Sequence, residues 1–231
     1  YLPGVDEEIV GRVSAIVLTP KKALHLVATD THVDVFGRKH RAGDEWLVTL
    51  ADCDTYIPDI NQTVQGVVGI HTLSNRQFCV VLNPRDPETG LNRMGARELR
   101  KGECSFFLHP GERLERGVQD VYVLGEGEAL LLRAVEPMAK EESPDGTAHR
   151  AGDRWMIYGP CDFIPDVQVE VVERRHSIPL DTNEGVYVRD LTSGKIRAVI
   201  GESYMLKPNE ELWAKPLGAD VEALLAQEAT R

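Results

Sequence analysis

Short runs in which apolar residues alternate with polar ones recur along the chain. Val167, Val169 and Val171 alternate with polar residues, which is the period of a strand with one buried face. Further strand-like runs follow polar turns and read ALHLVA (23–28), RQFCVVL (76–82), EALLLRA (128–134) and GVYVRD (185–190). A helical pattern begins only at 218–231, where Asp220 is a candidate N-cap. The pattern therefore predicts a β-sheet protein that ends in a helix or linker.

The phrase aromatic-aliphatic-Pro-x-aliphatic marks an internal repeat. It reads YLPGV at 1–5, YIPDI at 56–60 and FIPDV at 163–167, with a weaker copy, LHPGE, at 108–112. The prolines of the four copies are Pro3, Pro58, Pro110 and Pro165. They lie about 54 residues apart, and a shift of three such periods superposes the apolar pattern of residues 1–26 on the last copy without a gap. One structural unit is therefore repeated along the chain.

A second phrase, Gly-acid followed by an aromatic residue, occurs inside each copy. AGDEW at 42–46 and AGDRW at 151–155 are the clear cases, and we interpret Gly102-Glu103 and Gly201-Glu202 as the same turn. The segments before it differ in length between copies, as insertions at one face of a repeat do. Trp46 and Trp155 hold equivalent places. A recurrent aromatic residue is typical of a sheet core, so we predict that both are buried rather than exposed ligand platforms.

These patterns predict a fold class and a domain organisation. The fold class is all-β: an elongated tandem array of small antiparallel β-sheet domains of about 54 residues each, which are marginally stable alone and should pack on their neighbours. The predicted repeats span residues 4–58, 59–110, 111–165 and 166–217. Residues 1–3 end a preceding repeat, and residues 218–231 start a helix or linker.

The composition excludes several classes of protein. The 231 residues are 42% hydrophobic and 27% charged, as in globular proteins, and no apolar run approaches the roughly 18 residues that a membrane helix needs. The net charge of −11 disfavours a nucleic-acid-binding surface, which requires a basic patch. The cysteines at 53, 79, 104 and 161 form no C-x-x-C pair, so we expect free thiols in a reducing compartment.

Candidate chemistry is sparse, and we predict no catalytic, cofactor-binding or metal-binding residue. Ser203 lacks the G-x-S-x-G spacing of a nucleophile elbow. The seven histidines show no metal-ligand or triad spacing; they are His25, His32, His40, His71, His109, His149 and His176. An acidic group in the first repeat keeps calcium binding open as an alternative, although the EF-hand pattern is absent. Its members are Asp30, Asp34, Asp44, Asp52 and Asp54.

Long stretches of the chain carry a resemblance to a known family. They read KKALHLVA, AGDEWLVT, KGECSFFLHPGERLERGVQDVYVL, AGDRWMIYGP, VEVVERRHSIPLDTNEGVYVRD and GKIRAVIGESYML. In these stretches, and over essentially all its length, the chain resembles the tandem-repeat part of the major vault protein family, the shell proteins of the vault ribonucleoprotein particle.

The resemblance implies a structural role without catalysis, so we expect no enzyme and no cofactor. The segment would form part of the shell wall, in which copies of the same chain associate side by side. The implied partners are those copies and the vault poly(ADP-ribose) polymerase, with no direct nucleic-acid binding and no membrane. We expect a cytoplasmic protein with a minor nuclear fraction. The alternative is a ligand-binding β-repeat module whose acidic loops take calcium.

Overall fold

The computed structural model describes residues 3–9, 11–216 and 218, and all regular structure within these residues is β. Every paired strand is antiparallel, and the sheets have two to four strands. The predicted fold class of small antiparallel sheets is therefore confirmed. The predicted helix or linker at 218–231 lies outside the described residues, except for Gly218. The chain divides into two compact units, Tyr1–Asp120 and Val121–Arg231.

The first module, residues 16–69, combines a three-stranded sheet with two small pairs. Its strands are Ile16–Val17 (β1), Lys22–Ala28 (β2), His32–Val33 (β3), Lys39–His40 (β4), Glu45–Val48 (β5), Thr55–Tyr56 (β6) and Gln62–Gly69 (β7). β2 lies between β5 and β7, while β1 pairs with β6 and β3 with β4. Leu24 and Leu26 of β2 are fully buried because the two small pairs and the variable loop cover one face of this sheet.

The second module, residues 71–120, completes the first compact unit. Its strands are His71–Leu73 (β8), Gln77–Leu82 (β9), Arg97–Lys101 (β10), Cys104–Phe106 (β11), Arg113–Leu114 (β12) and Gln119–Asp120 (β13). β9 pairs with β10 on one side and with β12 and β13 on the other, and β8 pairs with β11. This is the arrangement of the first module, with the outer strand broken into two pieces.

The third module, residues 122–176, opens the second unit and returns to the first pattern. Its strands are Tyr122–Leu124 (β14), Glu128–Ala134 (β15), Arg154–Tyr158 (β16), Cys161–Phe163 (β17) and Val169–His176 (β18). β15 lies between β16 and β18, and β14 pairs with β17. The register between β15 and β18 shifts between Leu131 and Leu132, as it does between His25 and Leu26 in the first module. The two modules thus share even their β-bulge.

The fourth module, residues 178–213, has the same plan. Its strands are Gly185–Asp190 (β19), Ile196–Ile200 (β20) and Glu210–Leu212 (β21), with β19 in the centre. A single bridge between Ile178 and Tyr204 takes the place of the two-stranded pair. The central strand buries an equivalent apolar residue in all four modules, between 0% and 1% exposed: Leu26, Val81, Leu132 and Val188. The predicted repeat is therefore a repeat of strand topology and of core positions.

The glycine turns correct one part of the sequence interpretation. Gly43 and Gly152 have φ values of 88° and 92° and precede the strands that pair with the central strand, as predicted. In the second and fourth modules, however, Gly95 and Gly194 hold that position, with φ values of 79° and 68°. The interpretation of Gly102-Glu103 and Gly201-Glu202 as this turn is wrong, because each follows the strand that Gly95 or Gly194 precedes.

The strand that follows a repeat proline pairs back with the sheet before it. β7 follows Pro58 and pairs with β2, and β18 follows Pro165 and pairs with β15. Proline suits this corner because it donates no hydrogen bond to a ladder. The strands of one sheet therefore lie on both sides of the predicted repeat boundaries at residues 58–59 and 165–166. The exact boundaries stay a prediction.

Candidate functional site

The tryptophans of the first and third modules are buried under the variable loops. Trp46 is 5% exposed and Trp155 is 6% exposed, which confirms that both are core residues. The imidazole of His40 stacks on Trp46 with ring centroids 3.7 Å apart, and that of His149 stacks on Trp155 at 4.0 Å. Each loop is thus held against its sheet by a histidine that lies flat on the indole.

An aspartate lies beside each of these histidines, with a side chain that is buried in the first module and 28% exposed in the third. Asp34, whose side chain is 0% exposed, accepts hydrogen bonds from the Phe36 N–H at 3.0 Å and the Arg38 N–H at 2.7 Å, and lies 3.1 Å from His40 Nε2. Burial acts to raise the pKa of Asp34, but the hydrogen bonds from Arg38, His40 and Phe36 outweigh it and lower the pKa. The carboxylate therefore stays charged and fixes the loop at residues 34–40.

The third module builds the same arrangement from a different loop. Asp145 accepts hydrogen bonds from Ser143 Oγ at 2.6 Å and from the Thr147 N–H at 3.0 Å, and lies 3.0 Å from His149 Nε2. Burial acts to raise the pKa of Asp145, but these bonds lower it well below its usual range. We call the two sets, Asp34, His40 and Trp46 and Asp145, His149 and Trp155, the Asp–His–Trp clusters.

Sequence reasoning placed Trp46 and Trp155 correctly but missed their partners. It assigned His40 and His149 no role and treated Asp34 as one of a group of loop acids. A signal was present, because each histidine lies six residues before its tryptophan. The hydrogen bonds and the ring stacking of each cluster fix a variable loop against its sheet.

The second module has an ionic cluster at the corresponding loop. The carboxylate of Glu112 is 1% exposed and accepts hydrogen bonds from the backbone N–H groups of Arg85 at 2.7 Å and His109 at 2.8 Å. The guanidinium of Arg100 approaches the same carboxylate at 3.6 Å. Burial lowers the pKa of His109, and Arg85 and Arg100 lower it further, although Glu112 opposes them. The imidazole is therefore held neutral beside two cations.

The second module should lose stability in mild acid. Because the folded pKa of His109 lies below the ordinary value of 6.5, the unfolded chain binds a proton more readily. Stability is thus complete above about pH 6.5 and falls as the pH drops towards the folded pKa. Hydrogen exchange of the β9 amides, measured as the pH falls below about 6.5, should show this loss of stability. In His109→Gln the stability should depend less on pH. The exposed His176 offers a control: His176→Gln leaving the β9 profile unchanged is expected, and an unchanged profile in His109→Gln would contradict the assignment.

Three of the five acids of the calcium alternative accept hydrogen bonds through their carboxylates, namely Asp34, Asp44 and Asp52. Asp44 accepts from the Arg41 N–H, and Asp52 accepts from Thr49 and from the Arg38 guanidinium. Asp30 and Asp54 contribute backbone carbonyl oxygens to His32 and Leu18. Within residues 3–9, 11–216 and 218, no group of three or more metal-ligating side chains comes together. The four cysteines are free thiols, and Ser203 is exposed beside Tyr204.

The outer strand of the first sheet is a candidate contact surface. β7 reads QTVQGVVG, is eight residues long and carries no charge, and its Val64 and Val67 are 38% and 56% exposed. It pairs with β2 on one side, and no strand in the described part of the chain pairs with its other side. The equivalent β18 carries four charged residues, among them Arg174. An uncharged edge strand of this length is a template for pairing with another chain.

Nothing in the described residues forms a helix able to cross a membrane. Three models described as the Major Vault Protein repeat domain match the chain. One matches twice, at residues 16–59 and 122–166, which carry the two Asp–His–Trp clusters, and the others match residues 70–118 and 177–231. The repeated match of one model agrees with the shared architecture of the first and third modules.

The chain is also similar to curated proteins of three organisms. It is 56% identical to major vault protein beta of Dictyostelium discoideum over 231 residues, 100% of this chain and 27% of the relative. The identity is 55% to the major vault protein of Strongylocentrotus purpuratus and 53% to that of Mus musculus, each over 225 residues, 97% of this chain and 26% of the relative. The chain thus spans about a quarter of the length of these relatives.

Proposed function

The chain belongs to the major vault protein repeat family, and on that premise we propose that it is a structural, non-catalytic segment of the shell of a vault particle. The observation that carries this proposal is the fourfold use of one sheet module. Stacked repeats suit a wall because each module adds length and sheet edge without requiring a new fold.

The wall would form by side-by-side association of copies of the chain through sheet edges. β7 supports this step, because it is an uncharged strand with exposed valines whose outer edge pairs with no strand among the residues that the structure describes. In the third module, Arg174 stands at the position of Val67, since Leu130 pairs with Arg174 as Leu24 pairs with Val67. Arg174 is balanced there by Glu128, at 2.5 Å. The position of Glu128 is held by Lys22 in the first module, so a charge at residue 67 would have no such partner.

The variant Val67→Arg tests this contact. It places on β7 a residue that the same fold accepts in β18, so we expect a folded chain whose self-association is weakened by about tenfold or more, because a charge beside Lys22 must be desolvated on pairing. Sedimentation velocity over a concentration series measures the effect. Val67→Ile is the matched control, which keeps the strand uncharged and should associate like the parent chain. Equal association by Val67→Arg and Val67→Ile would exclude β7 as the contact, and a parent chain that stays monomeric at every concentration would count against self-association by this segment.

The remaining partners and the location are part of the same proposal. We extend it to the vault poly(ADP-ribose) polymerase as a partner, to the absence of direct nucleic-acid and membrane binding, and to a cytoplasmic location with a minor nuclear fraction. The net charge of −11 supports the absence of nucleic-acid binding, because a phosphate backbone repels an acidic surface.

A further inference from the structure

The second module brings two thiols into one small core. Cys79 lies in the central strand β9 and is 0% exposed, and Cys104 begins β11 and is half-buried. Both contact the same apolar group, which contains Leu73 and Val81. Cys79 belongs to the larger sheet and Cys104 to the two-stranded pair, so the core that both thiols border lies between these two sheets.

The backbone explains why both thiols border one core. Cys79 pairs across the sheet with Arg100 in β10, and Gly102, with φ of 78°, turns the chain immediately after that strand. Cys104 then pairs with Leu73, which lies in the same core as Cys79. One tight turn and one cross-strand pair thus bring Cys104 to the core that contains Cys79, although the two residues are far apart along the chain.

Comparison of the four modules shows that this combination is confined to one of them. The equivalent positions hold Leu24 and Asp54 in the first module, Leu130 and Cys161 in the third, and Val186 and Glu202 in the fourth. In the described residues, only the second module has cysteine at both places. The third module supplies a natural control, because Cys161 occupies the place of Cys104 but shares its core with Leu130.

We infer that Cys79 and Cys104 are a redox-sensitive pair that closes to a disulfide when the chain meets a small-molecule disulfide. The half-buried Cys104 thiolate attacks one sulfur of the oxidant, so that a mixed disulfide forms and one thiolate of the oxidant leaves. Cys79 then loses its proton, its sulfur attacks that of Cys104, and the second thiolate leaves. Two protein thiols are oxidised to one disulfide, and the oxidant is reduced to two thiols.

The environment of the thiols sets this order. Burial raises the pKa of Cys79, and a charge on Cys104 raises it further, although Arg100 lowers it. Cys79 is therefore a poor first nucleophile and is inaccessible to an external reagent. It becomes the resolving thiol only after Cys104 has been modified beside it. The product ties β9 to β11 and so links the two sheets of one module covalently.

The test exposes the folded 231-residue chain to hydroxyethyl disulfide, stops the reaction with acid and maps the cysteines by mass spectrometry. We expect a linked peptide pair that contains Cys79 and Cys104, whereas Cys161 carries the mixed disulfide. The mixed adduct on Cys104 should be at most about one tenth as abundant as that on Cys161, because of these two only Cys104 has a resolving thiol. A persistent adduct on Cys104 with Cys79 still reduced, or a disulfide between Cys104 residues of two chains, would overturn the inference.

Two variants sharpen the comparison. Cys79→Ala should make Cys104 behave like Cys161 and retain its adduct. Leu130→Cys should give Cys161 a resolving thiol and create a second linked peptide pair in the third module. The mapping of the parent chain does not depend on how well Leu130→Cys folds. A parent chain that forms the disulfide but a Cys79→Ala chain that still clears the adduct from Cys104 would contradict the assignment of Cys79 as the resolving thiol.

Discussion

Replacement of Trp155 by alanine is expected to lower the free energy of unfolding of the third module by about 3–5 kcal/mol. The indole is 6% exposed and belongs to the core that also contains Leu130, Leu132 and Phe163. Truncation leaves a cavity where the surrounding strands cannot fully collapse, and it removes the surface on which His149 stacks. The loss should therefore exceed the value for burial alone.

Hydrogen exchange of the β15 and β16 amides measures this effect module by module, which suits a repeat protein whose parts need not unfold together. Trp213→Ala is the control, because Trp213 is half-buried and contacts Tyr187 edge-on at 5.9 Å. It should leave the exchange of β15 and β16 unchanged. If Trp155→Ala costs less than about 0.5 kcal/mol, a typical surface value, the indole cannot be the anchor of this core.

The sequence predicted the all-β repeat because alternation and proline spacing are local signals. Alternation identified the central strands, and a proline at a strand end marked each corner. The register of the turn was harder to predict. Gly102-Glu103 matched the expected letters, but Gly95 precedes the strand that pairs with β9. The residue types at a turn indicate the local backbone conformation. The pairing of strands depends instead on hydrogen bonds between distant parts of the chain.

The Asp–His–Trp clusters show the same limit at the level of side chains. A recurrent tryptophan before an apolar strand is visible in sequence, so Trp46 and Trp155 could be predicted as core. Their aspartates lie in loops of different length, at six residues before His40 but four before His149. No fixed spacing exists for a pattern search to find. Only the folded loops show that each carboxylate reaches the imidazole that stacks on the tryptophan of its module.

Asp34→Ala should lower the free energy of unfolding of the first module by about 3–5 kcal/mol, because each hydrogen bond to a charged acceptor contributes about 1.5–3 kcal/mol. The backbone N–H groups of Phe36 and Arg38 and the ring of His40 would lose their shared acceptor. Asp34→Asn keeps one acceptor oxygen and should cost less. The loss of stability in Asp34→Ala should be largest near neutral pH. Because the folded pKa of Asp34 is lowered from 3.8, its stabilisation is complete above that value and disappears as the pH falls through the folded pKa.

Asp30→Ala is the matched control for this prediction. Asp30 lies in the same loop, but its backbone carbonyl oxygen, rather than its carboxylate, accepts from His32, so we expect a change within about 0.5 kcal/mol. Denaturant unfolding with and without millimolar calcium separates loop fixing from the calcium alternative. If Asp34 fixes the loop, Asp34→Ala should lose its full stability contribution even in calcium-free buffer. The parent chain should then be equally stable with and without calcium. A parent chain that gains stability from calcium, with that gain abolished by Asp34→Ala and Asp30→Ala alike, would instead make these acids cation ligands.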